Sequence, residues 1–285
     1  MPTPSSLPAD SQFQFPLHLL RALRFRALLS LILLAPPIGV EAQAGGTTTA
    51  RIQARSYHFH EAMADLPYSL YVPTSYDATH PTPLIVALHG LGSSDAAIMR
   101  YQGLTDLAEE RGYIVVAPMG FNSRGWYGSR GPGRASVRGE AANDPENLGE
   151  LSQQDVMNVL ELVRNEFNVD PDRIYLMGHS MGGGGTWHLA LTYPDLWAAL
   201  GPVAPAIYID PSAVEAIRHI PVIVIQGDED NLVPVTIARD WVAKMQELGM
   251  AYRYIEIPGG DHTAIIARTP ENMKQIFDFF DQVQR

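Results

Sequence analysis

Short, unbroken apolar runs recur along the chain, each bounded by Gly, Pro or Asp. Residues 83–88 and 113–117 are the clearest; residues 173–177, 197–203 and 221–226 read as further strands, as do residues 252–257, where Arg253 and Glu256 interrupt the run. Runs of this length without polar alternation suit strands covered on both faces. Between them the period changes. Val156, Val159, Leu160, Val163 and Phe167 fall on one face of a helix, and Ser152 with Asp155 three residues later predicts its N-terminal capping box. Further helices are predicted over 103–111, closed by Gly112, over 180–193, over 235–248, and from Thr269-Pro270 onward with Met273, Ile276, Phe277 and Phe280 inward. Asp170-Pro171-Asp172 predicts a turn. Residues 51–72 read as extended, with Tyr57, Tyr68, Leu70 and Val72 as strand residues and no helix between, which implies antiparallel pairing. Residues 120–147, rich in Gly, Arg and Ser, read as a long surface loop.

Repeated alternation of strand and helix implies an α/β fold: one domain with a mostly parallel central sheet and helices on both faces. In such sheets ligands bind beyond the carboxyl ends of the strands. The chemistry is therefore expected in the residues that follow each strand.

The first 44 residues follow a different pattern. Arg21, Arg24 and Arg26 precede an apolar run at 27–34, Pro36 and Pro37 break it, and Ala42-Gln43-Ala44 follows. Basic residues, a short apolar stretch and a small-x-small site predict a secretory signal cleaved after Ala44. The domain then covers 45–285, and the protein is secreted or periplasmic. The run is too short for stable membrane insertion. Composition narrows the picture further. Of 285 residues, 46% are hydrophobic and 18% charged, enough for a large core. A net charge of −11 argues against nucleic acid as a partner. The absence of cysteine excludes disulfides, a thiol nucleophile and thiolate metal sites. The sequence sets no oligomeric state.

Gly178-His179-Ser180-Met181-Gly182 follows a predicted strand and opens a predicted helix. A G-x-S-x-G turn is sharp, so bulky neighbours would clash, and it lifts the serine hydroxyl to the helix N-terminus, where negative charge is favoured. Gly183, Gly184 and Gly185 extend the small run at about 1 kcal/mol each relative to alanine, which points to close packing or function. With its flanking elements this segment resembles the α/β-hydrolase superfamily. The block Leu70-Tyr71-Val72-Pro73 through Leu88-His89-Gly90-Leu91-Gly92 is similar to the secreted carboxylesterase, feruloyl esterase and polyhydroxybutyrate depolymerase-like branch. It also resembles predicted peptidases related to the prolyl oligopeptidase catalytic domain.

The resemblance implies the order serine, acid, histidine. Gly227-Asp228-Glu229-Asp230-Asn231-Leu232-Val233-Pro234 offers three carboxylates, and the family spacing selects Asp230 over Asp228, whose other role would be to cap the turn. Glu229 is expected at the surface. His262, in Gly259-Gly260-Asp261-His262, is the expected base, with Asp261 a loop hydrogen-bonder. The oxyanion hole is expected from the backbone N–H groups of Met181 and Leu91, with His89 bracing the latter's loop. His58, His60 and His188 have no metal-ligand spacing, so neither a metal nor a cofactor is expected.

The implied function is an exported serine esterase acting on short-acyl or aromatic, feruloyl-type esters, small or polysaccharide-linked. A peptidase is the alternative. A non-catalytic binding protein on the same fold is disfavoured because serine, aspartate and histidine are all kept. Trp126, Tyr127 and Trp187 either stack on the substrate or pack the core. Arg124, Arg130, Arg134 and Arg138 either meet a carboxylate or uronic acid substituent or belong to a solvated loop.

Overall fold

A computed structural model of the protein describes residues 52–133 and 142–285, which belong to one unit. The signal pattern of residues 1–44, Arg134 and Arg138 lie outside the described residues. Eight strands form one sheet in the order β1-β2-β4-β3-β5-β6-β7-β8. They are β1 (Gln53–Phe59), β2 (Ala64–Tyr71), β3 (Thr82–Leu88), β4 (Ile114–Pro118), β5 (Val169–His179), β6 (Ala199–Val203), β7 (Val222–Gly227) and β8 (Tyr252–Ile257). β1 pairs antiparallel with β2 and β2 with β4; every other pairing is parallel. Among the described residues seven α-helices accompany them, the last two following β8: α1 (Asp95–Ile98), α2 (Leu104–Arg111), α3 (Leu148–Glu166), α4 (Met181–Thr192), α5 (Val235–Glu247), α6 (Ala264–Ala267) and α7 (Pro270–Phe280).

The unbroken apolar strands serve two cores, because successive side chains point to opposite faces. Leu84, Val86 and Leu88 of β3 face α3, α4 and α5, while Ile85 and Ala87 face α2, α6 and α7. This is the mostly parallel α/β sheet, covered on both sides, that the alternation predicts. Among the described residues no helix is long and apolar enough to cross a membrane.

Three local expectations are corrected. Ser152 and Asp155 do not start a helix: α3 begins at Leu148, and both side chains leave the helix to bind the loop after β4. Asp170-Pro171-Asp172 does not break the strand. It is an irregularity inside β5, where pairing with β3 jumps from Thr82↔Val169 to Leu84↔Ile174, and Asp170 accepts the Asp172 N–H. The segment after β4 is not a surface loop throughout, since Trp126, Tyr127 and Gly128 form a buried 3-10 turn.

Candidate active site

The carboxyl ends of β3 to β8 share one edge of the sheet, and the residues that follow them converge there. Ser180 sits between β5 and α4 with φ 58° and ψ −115°, a left-handed backbone rarely adopted by a side-chain-bearing residue. Its own N–H donates to Val203 O at 2.9 Å. The glycines on either side are required by contact. A Cβ on Gly178 would stand 2.2 Å from Gly182 O, and one on Gly182 would stand 2.1 Å from Leu88 O. The same crowding continues along α4, where a Cβ on Gly185 would strike the Tyr127 ring at 2.6 Å. The helix gives up propensity so that its first turns can lie against β3 and the loop after β4.

His262 follows β8, with its Nε2 2.8 Å from Ser180 Oγ and its Nδ1 2.6 Å from Asp230 Oδ2. An ionised carboxylate only accepts, so Nδ1 carries the proton and Nε2 is left to accept from the serine hydroxyl. Asp230, after β7, is buried. Its Oδ1 accepts the Leu232 and Val233 N–H groups at 2.8 Å each, and its Oδ2 also accepts Gln226 Nε2 at 3.0 Å. Burial works to raise its pKa, but the bonds from His262 and the two backbone amides outweigh it and hold the carboxyl below its ordinary value. The neighbouring acids do other work. Asp228 accepts the Gly259 N–H, Asp261 accepts the N–H groups of Thr263 and Ala264, and Glu229 is exposed.

A second layer supports this chain of bonds. His179, inside the pentapeptide, donates from Nε2 to the backbone carbonyl of His262 at 2.8 Å and accepts at Nδ1 from the Tyr101 hydroxyl at 2.8 Å. Its pKa is pushed down to about 4, chiefly by burial and then by the facing His262, so it stays neutral and keeps both bonds. His89 is buried with Nδ1 2.8 Å from Gly90 O and Nε2 2.9 Å from Met119 O; its neutral ring has one N–H to donate to one of these carbonyls. Nothing in the composition of the sequence distinguishes His179 or Tyr101; only the place of His179 inside the serine turn could have drawn attention to it.

A cavity of about 450 Å³ opens over Ser180 and His262. Leu91 lines it, and among the described residues the Leu91 N–H meets no acceptor. Met181 is the first residue of α4, where helix geometry leaves N–H groups without an internal partner. Of the three aromatic residues expected at the substrate, Trp126 lines the cavity and the other two do not. Tyr127 is fully buried, its hydroxyl 3.3 Å from His89 O. Trp187 is fully buried against Trp241, with ring centroids 4.4 Å apart. Both belong to the core: Gly185 lets the Tyr127 ring lie against α4, and Trp187 points from α4 onto Trp241 of α5. The arginines separate likewise. Arg124 is held by both oxygens of Asp144, whereas Arg130 lines the cavity. Tyr208, Ala206 and Leu232 complete the apolar wall.

Residues 61–247, more than half of the chain, match the family described as putative esterase. The chain belongs to this family. The putative esterase NocK of Nocardia uniformis subsp. tsuyamanensis is 29% identical over 70% of this chain and 53% of its own length. Feruloyl esterase B of Neurospora crassa is 31% identical over 45% of this chain and 40% of its own. A thermostable esterase of known structure is 28% identical, with a TM-score of 0.63 over 82% of this chain and 63% of that one. The chain spans about half the length of the curated relatives it matches. The fold of this esterase-family chain is that of the α/β-hydrolases.

Proposed function

We propose that the protein is a serine carboxylic ester hydrolase in which Ser180 is the nucleophile, His262 the general base and Asp230 the residue that orients it. The observation that carries this reading is the unbroken bond from Ser180 Oγ through His262 to Asp230 beneath an open cavity. Ser180 Oγ attacks the ester carbonyl carbon while its proton passes to His262 Nε2. The carbonyl oxygen becomes an oxyanion held by the N–H groups of Leu91 and Met181, each such donor worth about 3 kcal/mol. Collapse breaks the bond to the alcohol, which leaves with the proton from His262. Water then repeats the sequence on the acyl-enzyme and releases the acid. Asp230, kept ionised, favours the imidazolium at both barriers.

The substrate is a short-acyl or aromatic ester. Its support is the size of the cavity, the apolar wall of Leu91, Trp126 and Leu232, and the feruloyl esterase among the relatives. Export to the periplasm or beyond is part of the same reading and rests on the residue pattern before Ala44; an intact Met1 on exported protein would overturn it.

The test is hydrolysis of p-nitrophenyl esters from acetate to palmitate, with ferulate, in parent and Ser180→Ala proteins. Turnover should be highest for short or aromatic acyl groups and fall roughly 10⁶-fold in the variant. A fluorophosphonate should label the parent at Ser180. Folded protein that neither turns over nor labels would mean a binding protein on this fold.

A further inference from the structure

Arg130 stands out among the half-buried arginines. Arg55, Arg111, Arg124 and Arg173 are each paired with a carboxylate, and Arg253 donates to Gln275 Oε1. Arg130 has no carboxylate partner among the described residues. Its guanidinium carbon lies instead over two aromatic rings, 4.4 Å from the centroid of Trp126 and 3.9 Å from that of Tyr208. Its Nε is buried without a hydrogen-bond partner, and burial pushes its pKa down from the ordinary arginine value. An unmet buried donor is uncommon and calls for a reason.

The rings come from different segments, Trp126 from the 3-10 turn after β4 and Tyr208 from the stretch after β6. Rings stacked on a guanidinium cover its faces and leave its N–H edge to bind in the plane. With Nε buried, the terminal nitrogens are the groups left to reach the cavity. The platform is fixed from below: Ser129 Oγ donates to Trp126 O, the Tyr127 N–H donates to Ser152 Oγ, and Gly131 N–H donates to Gly128 O. Among the described residues no aspartate or glutamate lines the cavity, although the protein as a whole carries a charge of −11. The terminal N–H groups of a planar fork, held on a rigid mount and facing a cavity with no anion among its described lining residues, match a carboxylate in shape and charge.

We infer that Arg130 is a specificity residue that receives a carboxylate borne by the substrate, so that the preferred substrates are esters carrying a second, free carboxylate. This rests on the ester-hydrolase reading of Ser180. The carboxylate can belong to the acyl part, as in a monoester of a dicarboxylic acid, or to the alcohol part, as in an ester of a hydroxybenzoate or a sugar acid. In either case the same in-plane bidentate pair forms with the Arg130 terminal nitrogens.

Two matched pairs test this. Phenyl hydrogen glutarate is compared with phenyl pentanoate for the acyl side, and 4-carboxyphenyl butanoate with phenyl butanoate for the alcohol side. The parent should favour the anionic member of one pair by roughly 10- to 100-fold in kcat/KM, the size expected of a charge-assisted pair shielded from water. KM for that ester should rise with salt. In Arg130→Met the ratio should collapse toward one, and Arg130→Lys, which keeps the charge without the fork, should retain part of it. The parent comparison needs no variant, so it stands even if Arg130→Met folds poorly. Turnover without preference in either pair overturns the inference and leaves the esterase reading intact, as does a preference that survives in Arg130→Met. Failure to cleave any of the four esters overturns both.

Discussion

The turn at Ser180 and the loop at Trp126 lie at the same edge of the sheet, and both hold side-chain-bearing residues in left-handed backbone: φ is 58° at Ser180, 57° at Trp126 and 53° at Tyr127. Such positions cost about 1–3 kcal/mol each unless the surroundings impose them. What imposes them differs. Around Ser180 the constraint is local, with Gly178 and Gly182 admitting the close approach of strand and helix. Around Trp126 it is remote. Ser152 Oγ accepts the Tyr127 N–H and donates to Gly120 O, while Asp155 Oδ2 accepts the N–H groups of Gly120 and Phe121. Ser180 therefore rests on a sequence motif, and the Trp126 loop on two side chains of α3, some thirty positions along the chain.

The sharpest way to break this comparison is to disable the chemistry and leave the wall. Asp230→Asn keeps the shape of the β7 turn but removes the acceptor that fixes the His262 tautomer, so kcat should fall roughly 10⁴-fold. Asp228→Asn, which touches only the Gly259 N–H, should stay within about an order of magnitude of the parent on the same reasoning. Steady-state kinetics on p-nitrophenyl butanoate decides between them. The reverse ranking would move the acid to Asp228.

Disabling the wall should act on another quantity. Asp155→Ala leaves the buried Gly120 N–H, the Phe121 N–H and the Tyr57 hydroxyl without their acceptor. At about 1–3 kcal/mol for each buried unmet group, partly relieved by water, a loss of about 3 kcal/mol of stability is expected, read as a lower urea midpoint. Because Trp126 and Arg130 ride on that loop, KM should rise while fluorophosphonate labelling of Ser180 persists. Loss of labelling in folded Asp155→Ala would show that the two regions are not separable.

The same contrast explains what the sequence made legible. β3, β4 and β7 were readable because a strand buried on both faces has to be apolar without interruption, whereas β8, half-buried at the edge of the sheet and carrying Arg253 and Glu256, falls on the predicted residues 252–257 without that signal. Ser180, Asp230 and His262 were readable as a set because a motif and a chain order point to them. α1 was missed because four residues are too few to show a period. Ser152 and Asp155 were misassigned for a more instructive reason: the capping-box spacing of three is also the spacing that puts two side chains on one face of a helix, here the face turned to the β4 loop. Nor does any local rule announce three successive left-handed residues at 126–128, so Tyr127 and Trp187 could not be sorted from Trp126 before their burial was known.

The smallest effect separates the support beneath His262 from the chemistry above it. His179 is buried and neutral, with its pKa lowered to about 4 from 6.5 by burial and by His262. Asp230 and Asp261 pull the other way, and the Tyr101 hydroxyl supplies a bond without a charge. Between pH 6.5 and about 4 the unfolded chain binds a proton at this position that the folded chain does not, so stability falls as the pH falls through that window and this group adds nothing further below it. From pH 6.5 to 5.5 the loss should be about 1 kcal/mol. His89 and His188, also pushed down by burial, add to the slope with the same sign. His179→Gln can still donate to the His262 carbonyl but has no proton to gain, so its urea midpoint should decline less steeply with acid than that of the parent. Because the amide holds the His262 backbone without the fit of the ring, kcat should fall only a few-fold, about 1 kcal/mol of one hydrogen bond's worth. An unchanged slope in His179→Gln would assign the acid sensitivity to His89 and His188, and would mean that the pentapeptide histidine takes up its proton without leaving the fold.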